Sequence, residues 1–275
     1  MNIDLYTIPA SEDAPGEWEQ RCRGWMTDQE KARADQIRHA SAQNQHVVGR
    51  GISRRLVSQT LGIPTDSLRL CTNENGKPAV APLAQDLEQS PNDLTAGSTD
   101  HADEHEERSA GCCDVAFNVS HTAGLVLLGI YPRALPAGNL PHLGVDIERV
   151  GRRTDPRMAN RFFAAEEADW VFEHTEGPQR MHAFLRVWTL KESLIKAIGR
   201  GLAIPLDQFA FRDIDQPYPR VVFFDPQLGD SAQWHFHTFQ PAEGYLAAVA
   251  WSQNGNAQTE ENPGIKFRLP ESATL

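Results

Sequence analysis

The mixed apolar and polar residues at 3–8 read as a short strand. Residues 17–38 mix acids and bases with helical recurrence and predict a helix. A second helix is predicted over 43–61, stopped by Gly62 with Pro64 just beyond. Leu68–Leu70 reads as a short strand, and Asn73-Glu74-Asn75-Gly76-Lys77-Pro78 as a turn. Phe117–His121 and Gly124–Ile130 predict two strands around a turn, followed by a Pro/Gly-rich connector at 132–142. Gly144-Val145-Asp146-Ile147-Glu148 reads as a further strand. From Val187 to Lys196 apolar residues recur at helical spacing, with no Pro or Gly until Gly199. His235 and His237 alternate on a strand as an exposed pair.

The order of elements repeats. Asn2-Ile3-Asp4-Leu5 is echoed by Gly144-Val145-Asp146-Ile147, and Ile63–Leu70 by Ile204–Phe211. The second echo has an offset of 141 residues (204 − 63), which sets Arg50 on Lys191 and Arg55 on Lys196. The expected architecture is therefore α+β, a pair of similar α+β halves. Residues 1–142 form the N-terminal half and 143–253 the C-terminal half, and 254–275 make a flexible tail.

Composition adds a boundary and a compartment. Between Asp86 and Asp114 stand nine acids and one base, which hold most of the net charge of −11. Residues 85–113 are acidic and poor in aromatics, so they are expected to be a disordered insertion. The acidic balance argues against nucleic acid as a partner. Four cysteines make no disulfide framework, and no apolar run reaches membrane-spanning length. With no signal-peptide pattern at Met1–Leu5, a cytoplasmic, membrane-free protein acting as a monomer is expected.

Chemistry enters through spacing. Trp188, Glu192 and Lys196 stand at i, i+4 and i+8, so they share one helix face. Such a stripe serves as the wall of a site, or as an ordinary surface with a Glu–Lys pair. On the 144–148 strand Asp146 and Glu148 share one face, opposite Val145 and Ile147. Two strand carboxylates and one helix carboxylate could hold a hard divalent cation through oxygen. Arginines at 50, 54 and 55, and at 152, 153, 157 and 161, form local basic runs suited to phosphate or an acidic partner.

Four stretches, Asn75-Gly76-Lys77-Pro78, Phe117-Asn118-Val119-Ser120-His121, Gly144–Glu148 and Trp188–Lys196, resemble in this order the Sfp-type 4′-phosphopantetheinyl transferases. The resemblance covers roughly residues 45 to 211. It implies a pseudodimer with the active site in the cleft between halves. It also implies an enzyme that moves the phosphopantetheine arm of coenzyme A to a serine of an apo acyl, polyketide or peptidyl carrier protein, releasing adenosine 3′,5′-bisphosphate. Carried over residue by residue, Asp146, Glu148 and Glu192 would hold Mg²⁺. Lys191 and Lys196 would steady the phosphates, with Glu192 a candidate base. Ser120, His121 and Lys77 would contact coenzyme A, and Trp188 would wall the pantetheine arm or serve as core. Arg50 and Arg54 are candidates for the 3′-phosphate, because guanidinium forks suit phosphate. The acidic insertion and the 132–142 connector depart from the family pattern without touching a motif residue. A coenzyme A-binding module without catalysis is the alternative; it leaves the carboxylate trio unexplained.

Overall fold

A computed structural model describes residues 2–73, 75–81, 115–132, 142–151, 153–252 and 264–268. The acidic segment 85–113 and most of the 132–142 connector lie outside the described residues. Among those described, no helix is long and apolar enough to cross a membrane.

The N-terminal half runs β1 (Asn2–Pro9), α1 (Glu17–Trp25), α2 (Asp28–Asp35), α3 (Ala40–Leu61), β2 (Leu70–Thr72), β3 (Pro78–Val80), β4 (Val115–Thr122) and β5 (Leu125–Pro132). The C-terminal half follows with β6 (His142–Arg149), α4 (Ala159–Phe162), α5 (Ala165–Glu173), α6 (Pro178–Ile198), β7 (Phe209–Arg212), β8 (Arg220–Phe223), β9 (Trp234–Phe239) and β10 (Tyr245–Ser252). A last strand, β11, spans Gly264–Arg268. The single helix expected over 17–38 is two. Thr27 Oγ1 accepts from Glu30 N while Glu30 Oε2 accepts from Thr27 N, and this capping box starts α2 afresh. Both long helices end on a glycine in the left-handed region, Gly62 after α3 and Gly199 after α6.

Four strands pair in the order β11-β1-β5-β4 and three in the order β6-β10-β9, so each half pairs its first strand with its last and its last with the one before. The two sheets pack face to face. Ile3, Leu5, Leu127, Leu143, Val145, Ile147, Val249 and Trp251 fill the layer between them. Helices cover the outer faces. Val47, Val48 and Ile52 of α3 pack on Val126, Leu128 and Ile130, and Phe184, Leu190 and Leu194 of α6 pack on Leu246, Ala248 and Ala250. Strands β5 and β10 are therefore buried on both faces, which is why they read as unbroken apolar runs. Each such Leu or Val contributes about 1.5–3 kcal/mol.

The C-terminal tail is not wholly loose: β11 pairs parallel with β1 over Asn2–Tyr6. His235 and His237 are half-buried and not an exposed pair. His235 stacks on Trp251, and His237 lies against Tyr218 and Phe239.

Candidate active site between the two sheets

Strands β4 and β6 are edges of different sheets, and Asn118 joins them: its Oδ1 accepts from Val145 N at 2.9 Å. Gly144 lets α6 cross directly over β6. A Cβ at that position would collide with Ser193 O and Ala197 N. These two contacts bring the end of β4, the middle of β6 and the last turns of α6 to one place.

Asp146 is buried there. Its Oδ1 accepts from Lys196 Nζ at 2.6 Å and from Ser120 Oγ at 2.9 Å, and Lys196 Nζ also reaches Ser120 Oγ at 2.9 Å. Asp146 Oδ2 is buried with no partner among the described residues. A cavity of about 380 Å³ is lined by Ser120, His121, Asp146, Glu148, Trp188, Glu192 and Lys196, so the helix stripe and the strand face expected from spacing meet. Trp188 is half-buried, stacked on Phe184 at 5.8 Å, and serves both as core and as wall.

His121 and Val119 also line a second cavity, of about 470 Å³ between α2, α3 and β2, with Arg33, His46 and Arg50 in its lining. Arg50 Nε donates to Glu30 at 2.6 Å. His121 is exposed at the cavity mouth, yet partial loss of water around its ring, reinforced by Lys196 and then His46, holds the imidazole below its ordinary range. Burial with Arg33 and Arg50 does the same to His46. Sequence reasoning passed over Arg33 and His46. The signal for His46 was available, because His46, Gly49, Arg50 and Ser53 recur at i, i+3, i+4 and i+7 along α3.

Two expected site residues stand elsewhere, and a third, Lys77, borders the site with its ammonium turned to a backbone carbonyl. Lys191 is wholly buried beneath α6; its Nζ donates to Leu206 O and Phe209 O at 2.7 Å each and pairs with Glu167 at 2.7 Å. Burial pushes this ammonium down and the Glu167 carboxyl up, while their attraction works against both shifts. Arg54 is buried too, donating to Trp25 O, Thr65 O and Leu68 O. Neither lines the cavities described here. Lys77 borders a third cavity, of about 220 Å³, with Glu192 and Lys196, but its Nζ donates to Ala197 O at 2.6 Å. Asn73 Nδ2 reaches Gly199 O at 3.0 Å. This turn thus caps the C-terminus of α6 from the opposite half, where a cation suits the helix dipole.

Burial pushes the Lys77 ammonium down to about 8, below its unfolded value. Protonation therefore favours the unfolded chain, and stability from this group rises as pH climbs from 8 toward 10.5. The urea midpoint of the parent relative to Lys77→Met is expected to improve between pH 7 and 9.5, by on the order of 1 kcal/mol. An unchanged difference would mean that Lys77 is solvated.

Among the described residues no three His, Cys, Asp or Glu side chains converge as a ready-made metal cluster. Asp146, Glu148 and Glu192 nevertheless face one cavity with oxygen donors only. The unpartnered Asp146 Oδ2 fits a hard cation that keeps several waters and takes one or two carboxylates.

Fold and site together describe an α+β protein in which carboxylates, cations and imidazoles line neighbouring cavities around β4, β6, α3 and α6. Residues 142–250 match the model of the 4′-phosphopantetheinyl transferase superfamily. The chain is 29% identical to the 4′-phosphopantetheinyl transferase gsp of Aneurinibacillus migulanus, over 59% of this chain and 52% of that protein. It is 28% identical to the rat L-aminoadipate-semialdehyde dehydrogenase-phosphopantetheinyl transferase, over 86% of this chain and 70% of that one. It is 23% identical to the 4′-phosphopantetheinyl transferase Sfp of Bacillus subtilis strain 168, over 90% and 91%. A solved holo-[acyl-carrier-protein] synthase of Thermotoga maritima overlaps 41% of the chain with a TM-score of 0.34 and 18% identity, too slight to bear on the fold. The matched stretch spans about half of the gsp protein. These matches bear out the resemblance to the 4′-phosphopantetheinyl transferases that the four motifs carried.

Proposed function

We propose that the protein transfers 4′-phosphopantetheine from coenzyme A to a serine of an apo carrier protein, in a cleft between two halves of a pseudodimer. The observation that carries this reading is the buried, unpartnered Asp146 Oδ2, on the wall of a cavity shared with Glu148, Glu192 and Lys196, which has Val119 and His121 in common with the Arg33–His46–Arg50 cavity. The repeated strand order of the halves supports the pseudodimer. Among the described residues the cysteines, buried Cys22 and exposed Cys71, form no disulfide, which suits a reducing cytoplasm.

The cation-lined cavity takes the nucleotide end, with Arg33, Arg50 and His46 about its 3′-phosphate. Ser120 and His121 take the pyrophosphate. Asp146, Glu148 and Glu192 would hold Mg²⁺, which when bound neutralises pyrophosphate charge. Lys196, resting on Asp146 and Ser120, stabilises charge at the phosphate that departs. The carrier's serine oxygen bonds to the β-phosphorus. The bridging P–O bond breaks toward the nucleotide, and adenosine 3′,5′-bisphosphate leaves. The serine proton passes to Glu192, directly or through water. Trp188 flanks the pantetheine arm and keeps water from one side of it.

Intact mass of apo carriers after incubation with coenzyme A and Mg²⁺ tests the reading. One carrier gaining one phosphopantetheine supports it, and failure across acyl, polyketide and peptidyl carriers refutes it. The donor end has its own check. Arg50→Ala is expected to weaken coenzyme A by about 10- to 100-fold, the loss of one charge-assisted contact, with a smaller effect on dephospho-coenzyme A. Equal losses on both donors would place the 3′-phosphate away from Arg50.

A further inference from the structure

Two buried cations hold equivalent places in the two halves. On α6, Lys191 bonds Leu206 O, Phe209 O and Glu167. On α3, Arg54 Nη2 bonds Thr65 O and Leu68 O at 2.9 Å each, and Nη1 lies 3.4 Å from Glu30 Oε1. The two pairs of carbonyls are separated by the same 141 residues (206 − 65 and 209 − 68). Glu30 and Glu167 also correspond. Each is the third residue of the helix before the long one, and each accepts from its own N-cap nitrogen, Thr27 N or Ala164 N. The internal match is therefore Arg54 with Lys191, not Arg50 with Lys191.

We propose that Lys191 is a positioning residue of the transfer reaction, a strut that fixes the rotation of α6 so that Glu192 and Lys196 face the cleft, and that it does not touch substrate. This rests on the transfer read above for the same site. An ammonium has three donors, and all three of Lys191's are taken by Leu206, Phe209 and Glu167. Its acceptors belong to α5 and to the chain beyond α6, so the strut ties three segments together. The apolar contacts of α6 are non-directional and tolerate small rotations; three directional bonds select one. Glu192 is the next residue, so any rotation at Lys191 carries its carboxylate with it. A misplacement of ~1 Å at a reacting group costs roughly 100-fold in rate.

The test uses the full chain. Glu167→Gln/Lys191→Met removes both charges and keeps the shape, leaving no lone buried charge. Parent and variant are compared by thermal melting, by calorimetric coenzyme A affinity in EDTA, and by kcat and half-saturating Mg²⁺ on an apo carrier. The variant is expected to fold and to bind coenzyme A within about threefold of the parent, with kcat at least roughly tenfold lower and several-fold more Mg²⁺ needed. Unchanged kcat and Mg²⁺ dependence would overturn the strut. Coenzyme A affinity falling in step with kcat would overturn it too, because Lys191 would then touch the donor. If the double variant does not fold, Glu167→Gln alone is used; it keeps one accepting oxygen where the carboxylate offers two, Oε1 to Phe211 N and Oε2 to Lys191 and Ala164 N. It is expected to raise half-saturating Mg²⁺ by about threefold at constant coenzyme A affinity, and no shift overturns the proposal. A parent that loads no carrier counts against the transfer reading; a parent that loads carriers with unaffected variants counts against Lys191 alone.

Discussion

Asp146→Asn is expected to lower carrier loading by about 10²-fold or more, with the melting temperature nearly unchanged. Two effects combine. The amide offers a poorer oxygen to a hard cation, and the substitution leaves Lys196, now 2.6 Å from the carboxylate, without its charge partner. Several kcal/mol of charge stabilisation, at about 1.4 kcal/mol per decade, set the size of the loss. The buried, unpartnered Oδ2 adds a stability argument. Relief from burying that oxygen's charge offsets the loss of the Lys196 ion pair, so the fold changes little while the site loses its function. Carrier loading by mass spectrometry and a melting curve check both halves. Near-normal loading would remove Asp146 from the chemistry.

Gly144→Ala is expected to act on the fold itself. The added methyl meets the backbone of α6, Ser193 O and Ala197 N, with Ala197 Cα only 2.9 Å away, and backbone has no alternative rotamer. Either α6 lifts from β6 or the strand bends. Overpacking of this kind costs about 1–3 kcal/mol or more. The displacement also draws Glu192 and Lys196 away from Asp146, so activity is expected to fall further than stability does. Denaturant midpoints and carrier loading measured together test this. A variant as stable as the parent would mean that the helix crosses β6 less closely.

The readings from sequence that held rest on local order. A period of two on β6 set Asp146 and Glu148 on one face. A period of 3.6 on α6 set Trp188, Glu192 and Lys196 on one stripe, and all five line one cavity. The readings that failed depend on partners distant in the chain. The helix expected over 17–38 breaks at Thr27, and there the Thr27–Glu30 signature was present but outweighed by the recurring pattern around it. The tail's strand β11 was missed because a parallel partner 262 residues earlier leaves no local mark (264 − 2).

Arg54, Lys77 and Lys191 carry the sharpest lesson. In sequence each is a cation inside or beside a motif, and phosphate is a natural partner for a cation. In the fold each spends its donors on backbone carbonyls: Thr65 and Leu68, Ala197, and Leu206 and Phe209. Every residue has a carbonyl, so composition and spacing cannot mark which ones will be left over at a helix end or a loop and need a donor. The sequence by itself determined the α+β elements and the carboxylate and lysine pattern of β6 and α6, because these follow from periodicities that each segment carries alone, and its four motifs carried the family resemblance. Only the tertiary structure decided which cations face the cleft and which brace it, because that choice depends on how α3, α6 and their loops come to lie once two sheets share one core.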